Sequence, residues 1–183
     1  ALCAYSKVPI TGGELHSSGY PELKMMIEKR CYDVFQPDAI MSGGISQSLA
    51  VAKLCEQHGL KYTPHTWTTG IGFAVNLQVM LASGFADRAH LEFPLNPPSW
   101  TVEKRDALLC EPFNHNQGIL TVTDKPGLGF EIDEKALRRY GKRFFKMGKM
   151  KMIMHTLRDK GIKAAKEIDH NRKHYGVNAA RNS

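Results

Sequence analysis

An α/β fold with parallel strands is predicted by three features: strand-like runs alternating with helical ones from Lys7 to Phe93, a strand–helix–strand unit over residues 36–67, and titratable residues where the strand-like runs end. In the central unit the first strand, Tyr32 to Ile40, is apolar at Val34, Phe35, Ala39 and Ile40. It delivers Asp38 and is followed by Gly43-Gly44, which turn without a Cβ penalty. Ser48 to His58 places Leu49, Val51, Ala52 and Leu54 on a helical face and closes at Gly59 as the C′ residue. Lys61 to Pro64 is the second strand, and it delivers His65. Parallel neighbours joined by a right-handed crossover end on the same rim, so Asp38 and His65 are expected to meet there. An aspartate in that place holds an imidazole by hydrogen bond and fixes its tautomer, as a histidine acid/base requires. Spacing alone leaves open a plainer alternative, a strand-end histidine capped by a local acid.

The remaining elements follow in order. Lys7 to Glu14 reads as a short apolar strand ending in two glycines and a carboxylate, and on its own Glu14 is equally a turn glutamate. Pro21 to Lys29 is a helix with proline in its first turn and Leu23, Met26 and Ile27 on one face. Thr66 and Trp67 follow His65, and Ile71, Ala74, Val75, Leu77, Val79 and Leu81 then describe a buried helix ending at Gly84. That helix is expected to pack on the strands and to carry no chemistry. Arg88 to Phe93 is a fourth strand with Glu92 at its end, and Asn96-Pro97-Pro98 halts regular structure. Cys110 to Gly127 has the turn chemistry of a strand pair, with Asn116, Gly118 and the alternating run ILTVTD. The glycine-rich word GLGFEID neither follows a strand nor opens a helix as a phosphate cradle must, so no nucleotide site is expected. Glu134 to Phe144 is a helix. Beyond it runs a basic, Met-rich helix with Met150, Ile153, Met154 and Leu157 on one side, broken near Gly161.

With 183 residues, 42% of them hydrophobic, the chain is long enough for one domain with a real core. No apolar run approaches the roughly 18 residues that span a bilayer, and ALCAYSKVP lacks a signal-peptide core, so a soluble cytoplasmic protein is expected. Cys3, Cys31, Cys55 and Cys110 form no CxxC pair and read as reduced structural thiols. The net charge of +7 is uneven. Residues 1–137 carry 11 Lys+Arg against 15 Asp+Glu, whereas residues 138–183 carry 14 against 3. The acidic part suits a site of carboxylates and a divalent cation.

The words QPD, SGGI, PHTW, the glutamate of HLEFPL, and PGLGFEID occur in that order. Together they resemble the C-terminal half of the mandelate racemase branch of the enolase superfamily, of the acid-sugar dehydratase type, from about Pro9 to Phe144. The resemblance implies an α/β fold that is the C-terminal half of a (β/α)8 barrel, about four βα units, with a C-terminal strand pair and a basic helical tail. Residues 1–110 would be the partial barrel, 111–145 a segment returning toward the family's capping domain, and 146–183 the tail, which the resemblance leaves out. It also implies abstraction of a proton α to a carboxylate, with the enolate held by Mg²⁺. His65 and Asp38 take the catalytic acid/base positions, and Glu92 matches the acid that hydrogen-bonds the substrate carboxylate or enolate. Thr66 and Trp67 would line the substrate pocket, and Glu14 matches the third of three Mg²⁺ carboxylates.

The reaction so implied is dehydration of a sugar acid to a 2-keto-3-deoxy acid, with racemisation or epimerisation of a 2-hydroxy acid as the alternative. A rival of another class is a nucleic-acid-binding module that uses the basic tail, although no aromatic-interleaved platform or known motif accompanies it. Since four strand ends carry chemistry and a closed barrel needs eight strands, the chain is expected to be an inactive fragment of a longer enzyme. The full-length protein is expected to be a homo-oligomer acting on a small carboxylate, with neither membrane nor nucleic acid as partner.

Overall fold

Three parallel strands organise the chain in the computed structural model: β1 (Thr11–Gly12), β2 (Val34–Phe35) and β3 (Lys61–Tyr62), side by side in that order. The structure describes residues 2–95, 101–142 and 148–175, and it divides into two units, 1–140 and 141–183. The ladder reaches beyond the formal strands. Gln36 N–H donates to Gly12 O at 2.8 Å, Thr63 N–H to Phe35 O at 3.0 Å, and His65 N–H to Pro37 O at 3.3 Å. The last of these bonds sets His65 beside the residue before Asp38, which is how consecutive parallel strands bring their ends to one rim.

The first strand of the central unit stops earlier than Ile40. Asp38 Oδ1 accepts the N–H of Ile40 at 2.9 Å, while Met41 and Ser42 donate to Asp38 O. An aspartate that bonds its own backbone two residues on starts a turn, and Ala39 and Ile40 are drawn out of the ladder.

Helices α1 (Tyr20–Glu28), α2 (Ile45–Gln57) and α3 (Gly70–Ala82) join or follow the strands. α1 has Pro21 in its first turn, as its sequence requires, and α2 begins three residues before the expected start. Leu23 and Ile27 of α1, Val51, Ala52 and Cys55 of α2, Val79 and Met80 of α3, and Phe35 and Tyr62 of the strands form one buried core. Phe35 and Tyr62 are buried while their neighbours Val34 and Lys61 are half-buried and exposed, so the helices cover one face of the sheet. Burial pushes the Cys55 thiol up to about 12 and keeps it inert, and all four cysteines are free.

The fourth expected strand, Arg88 to Phe93, does not join the sheet. Thr63 Oγ1 donates to His90 O at 2.6 Å and Thr66 Oγ1 to Glu92 O at 2.5 Å. These threonine hydroxyls occupy carbonyls that a backbone ladder would use, so the segment is attached by side chains. Among the described residues the sheet therefore has three strands, where about four βα units are expected.

Beyond it lie a short helix α4 (Val102–Arg105), a hairpin of β4 (His115–Asn116) and β5 (Ile119–Leu120), and helix α5 (Glu134–Tyr140). The hairpin turns through Gln117 and Gly118, both with positive φ, the two-residue turn that antiparallel strands favour. The strand pair is thus confined to residues 115–120 of the expected 110–127 stretch. Asn96-Pro97-Pro98 and the Arg143-Phe144 end of the expected last helix lie outside the described residues. In the second unit, α6 (Lys149–Tyr175) is interrupted at Gly161, whose φ of 82° and ψ of 178° are not helical.

Candidate active site

The rim at the ends of β2 and β3 brings together the residues that the sequence singles out. His65 is held between two carboxylates: Nδ1 lies 3.2 Å from Asp38 Oδ2, and Nε2 lies 3.2 Å from Glu14 Oε2. Asp38 is buried, with its side chain 5% exposed, whereas the Glu14 side chain is 54% exposed. Glu14 reaches the rim because Gly13, at φ 109°, turns the chain out of β1 in a conformation that a residue with a Cβ rarely adopts.

Glu92 joins the same rim by a different route. Its Oε2 accepts the backbone N–H of Thr66 at 2.9 Å, so the carboxylate is tied to the residue that follows His65. Thr66, expected to touch substrate, is fully buried, and its hydroxyl is engaged by Glu92 O. In this structure it orients Glu92. Trp67 is 41% exposed, in company with Ile40 and Met41 on the loop after β2, and gives this end of the sheet apolar surface.

Helix α3, expected only to pack on the strands, also sends a polar side chain to this rim. Asn76, buried within it, donates from Nδ2 to Asp38 Oδ1 at 2.8 Å and accepts at Oδ1 from the Ala39 N–H at 2.9 Å. A single asparagine in the apolar run GIGFAVNLQVMLA is the signal that could have found it, because a buried polar side chain demands partners.

Magnesium fits poorly to the described residues alone. It requires near-octahedral oxygen coordination, and among those residues no group of three or more His, Cys, Asp or Glu side chains could hold an ion. Glu14 is a single exposed carboxylate beside a ring nitrogen. The arrangement does suit proton transfer, because an imidazole whose Nδ1 is fixed by a buried aspartate presents Nε2 to the rim. Among the described residues no helix is long and apolar enough to cross a membrane.

Comparison with known proteins gives this geometry a context. The model of the family described as enolase C-terminal domain-like matches residues 1–136. The chain is similar to D-galactarolactone cycloisomerase of Agrobacterium fabrum, with 32% identity over 76% of this chain and 39% of the relative. It is also similar to L-talarate/galactarate dehydratase of Salmonella typhimurium, with 31% identity over 75% of this chain and 30% of the relative. The chain thus spans well under half the length of either. Among solved structures, L-talarate dehydratase from a Polaromonas species, complexed with Mg and L-glucarate, superposes with a TM-score of 0.60 at 27% identity, covering 75% of this chain and 34% of that one.

Proposed function

The chain belongs to the enolase C-terminal domain-like family, and from that premise we propose that it supplies the acid/base part of an active site that removes the proton α to a carboxylate. The reaction we assign is dehydration of a sugar acid to a 2-keto-3-deoxy acid. The observation that carries this reading is the His65 ring, fixed at Nδ1 by buried Asp38 with Nε2 on the rim beside the exposed carboxylate of Glu14.

In this reading His65 Nε2 takes the α-proton of the substrate, delivers a proton to the departing β-hydroxyl, or does both in turn. The α C–H and β C–O bonds break, water leaves, and the resulting enol becomes the keto acid on protonation at the β-carbon. Asp38 keeps the ring in the tautomer that leaves Nε2 available, and general acid/base groups of this kind contribute about 10²–10⁴-fold. Glu92, anchored through Oε2 by Thr66 N–H, leaves Oε1 toward the rim, and in its protonated form it would donate that O–H to the substrate carboxylate or enolate, a charge-stabilising contact made where charge develops. Trp67 walls the pocket.

Mg²⁺ dependence is part of the proposal for the complete enzyme only. Glu14 is this chain's candidate oxygen ligand, and further carboxylates would have to come from outside the described residues. The 183-residue chain by itself is accordingly expected to be inactive, one part of a longer polypeptide or assembly. A second reading, lactone cycloisomerisation, is favoured by the similarity to the galactarolactone enzyme.

A substrate panel separates these readings. The polypeptide that carries this chain, incubated with Mg²⁺ and talarate, galactarate, gluconate, galactonate, arabinonate or galactarolactone, is expected to release a 2-keto-3-deoxy acid from at least one of the acids. Formation of the C2 epimer without dehydration would identify a racemase or epimerase, and consumption of galactarolactone alone a cycloisomerase. No change in any of these compounds would count against the proposal.

A further inference from the structure

Asn76 lies on α3, 38 residues from Asp38, yet it touches both the carboxylate and the backbone that carries it. The orientation of its amide is determined by its neighbours. Ala39 N–H can only donate, so the amide oxygen must face it, and the NH₂ group is left for Asp38 Oδ1 and for Gly72 O, 3.2 Å away. Every hydrogen-bonding atom of the Asn76 side chain therefore has a partner, in a residue with no exposed surface. Asp38 Oδ1 receives two N–H donors, from Asn76 and from Ile40, while Oδ2 is left to His65.

We propose that Asn76 is a positioning residue for the acid/base pair: by loading Asp38 Oδ1 with a donor, it turns Oδ2 onto His65 Nδ1 and so keeps the proton of the ring on Nδ1. The inference rests on the assignment of His65 and Asp38 as the acid/base pair. It adds a residue that acts through them without touching substrate. A purely architectural role, tying α3 to the turn after β2, is the competing explanation, and it would need only the bond to Ala39 N–H.

Asn76→Asp distinguishes the two. The carboxylate keeps the shape and can still accept from Ala39 N–H, and at a pH high enough to remove the proton that two acids so close share, it has no donor for Asp38. The measurement, at such a pH, is ¹⁵N-edited NMR of the imidazoles in the polypeptide that carries this chain, with His65 assigned by comparison with His65→Gln. Nδ1 carries its proton in both the Nδ1–H neutral tautomer and the imidazolium, so the readout does not depend on ring charge. The wild-type chain is expected to show a protonated, exchange-protected Nδ1 on His65. Asn76→Asp is expected to lose that signal while the backbone amide spectrum stays native. Retention of the Nδ1 proton in a folded Asn76→Asp chain would overturn the proposal, and so would its absence in the wild type. Asn76→Ser, smaller and uncharged, repeats the test if a second buried carboxylate prevents folding. Because no turnover is measured, failure here is separable from failure of the sugar-acid reading, which the substrate panel decides.

Discussion

Asp38 divides its work between its two oxygens: Oδ1 receives Ile40 N–H and Asn76 Nδ2, and Oδ2 faces His65 Nδ1. That division makes Asp38→Asn informative. The two donors at Oδ1 would hold the amide oxygen in place, turning the NH₂ group toward the histidine and forcing its proton off Nδ1. Turnover of the complete enzyme should fall about 10²–10⁴-fold with the circular dichroism spectrum unchanged; a loss within a few-fold would show that the pair is not the acid/base. Asp38 and His65 were legible in the sequence because a βαβ unit puts consecutive strand ends on one rim. Asn76 was not, because helical periodicity identifies a buried face and is silent about which strand end that face meets. Thr66 was legible as a rim residue, while its role was not, since burial of its hydroxyl depends on where the Glu92 segment comes to rest.

Among the elements, the segment after the third helix owes its place to a buried ion pair that the sequence conceals. Arg105 and Asp106 are 2% and 4% exposed, joined by bonds of 2.8 and 2.6 Å. The Arg105 guanidinium also donates to Pro94 O and Phe113 O and lies over the Phe93 ring. In the sequence, Glu103-Lys104-Arg105-Asp106 looks like a solvated charged turn, and only tertiary packing buries its second half. Arg105→Met should cost about 3–5 kcal/mol in thermal or denaturant unfolding, because Asp106 would remain buried without its partner. A loss below about 1 kcal/mol would show that the pair carries little.

Helix α5 gives a pH-dependent case. Asp133 Oδ1 accepts the N–H groups of Ala136 and Lys135, which hold its carboxyl below the usual aspartate range. A depressed folded value means that the stabilisation is fully present above the unfolded value of about 3.9 and is lost as pH falls through the lower, folded one. The melting-temperature deficit of Asp133→Ala should therefore be largest near neutrality and shrink on acidification below about pH 4. A deficit that is constant with pH would mean the cap acts through shape alone.

For the molecule as a whole, the family was legible and the strand count was not. The ordered words QPD and PHTW follow strands β2 and β3, SGGI leads into α2, and together they pointed to the family whose model matches residues 1–136. Pairing of the fourth strand depends on neighbours on its far side and on which groups claim its carbonyls, neither of which is written in its own residues. The sheet is covered by helices on one face, although parallel sheets are ordinarily covered on both. The chain spans 39% and 30% of the two relatives, and in the proposed reading the His65 and Asp38 pair lies at a rim that other segments would complete.

Whether His65 takes the proton α to a substrate carboxylate is read by hydrogen isotope exchange. The polypeptide that carries this chain would be incubated in D₂O with Mg²⁺ and the sugar acid it consumes, and loss of the α-proton followed by NMR and mass spectrometry. The wild type is expected to lose the α-proton in step with dehydration, and His65→Asn, with the fold intact, to show loss only at background. Undiminished loss of that proton in folded His65→Asn would rule out His65 as the base.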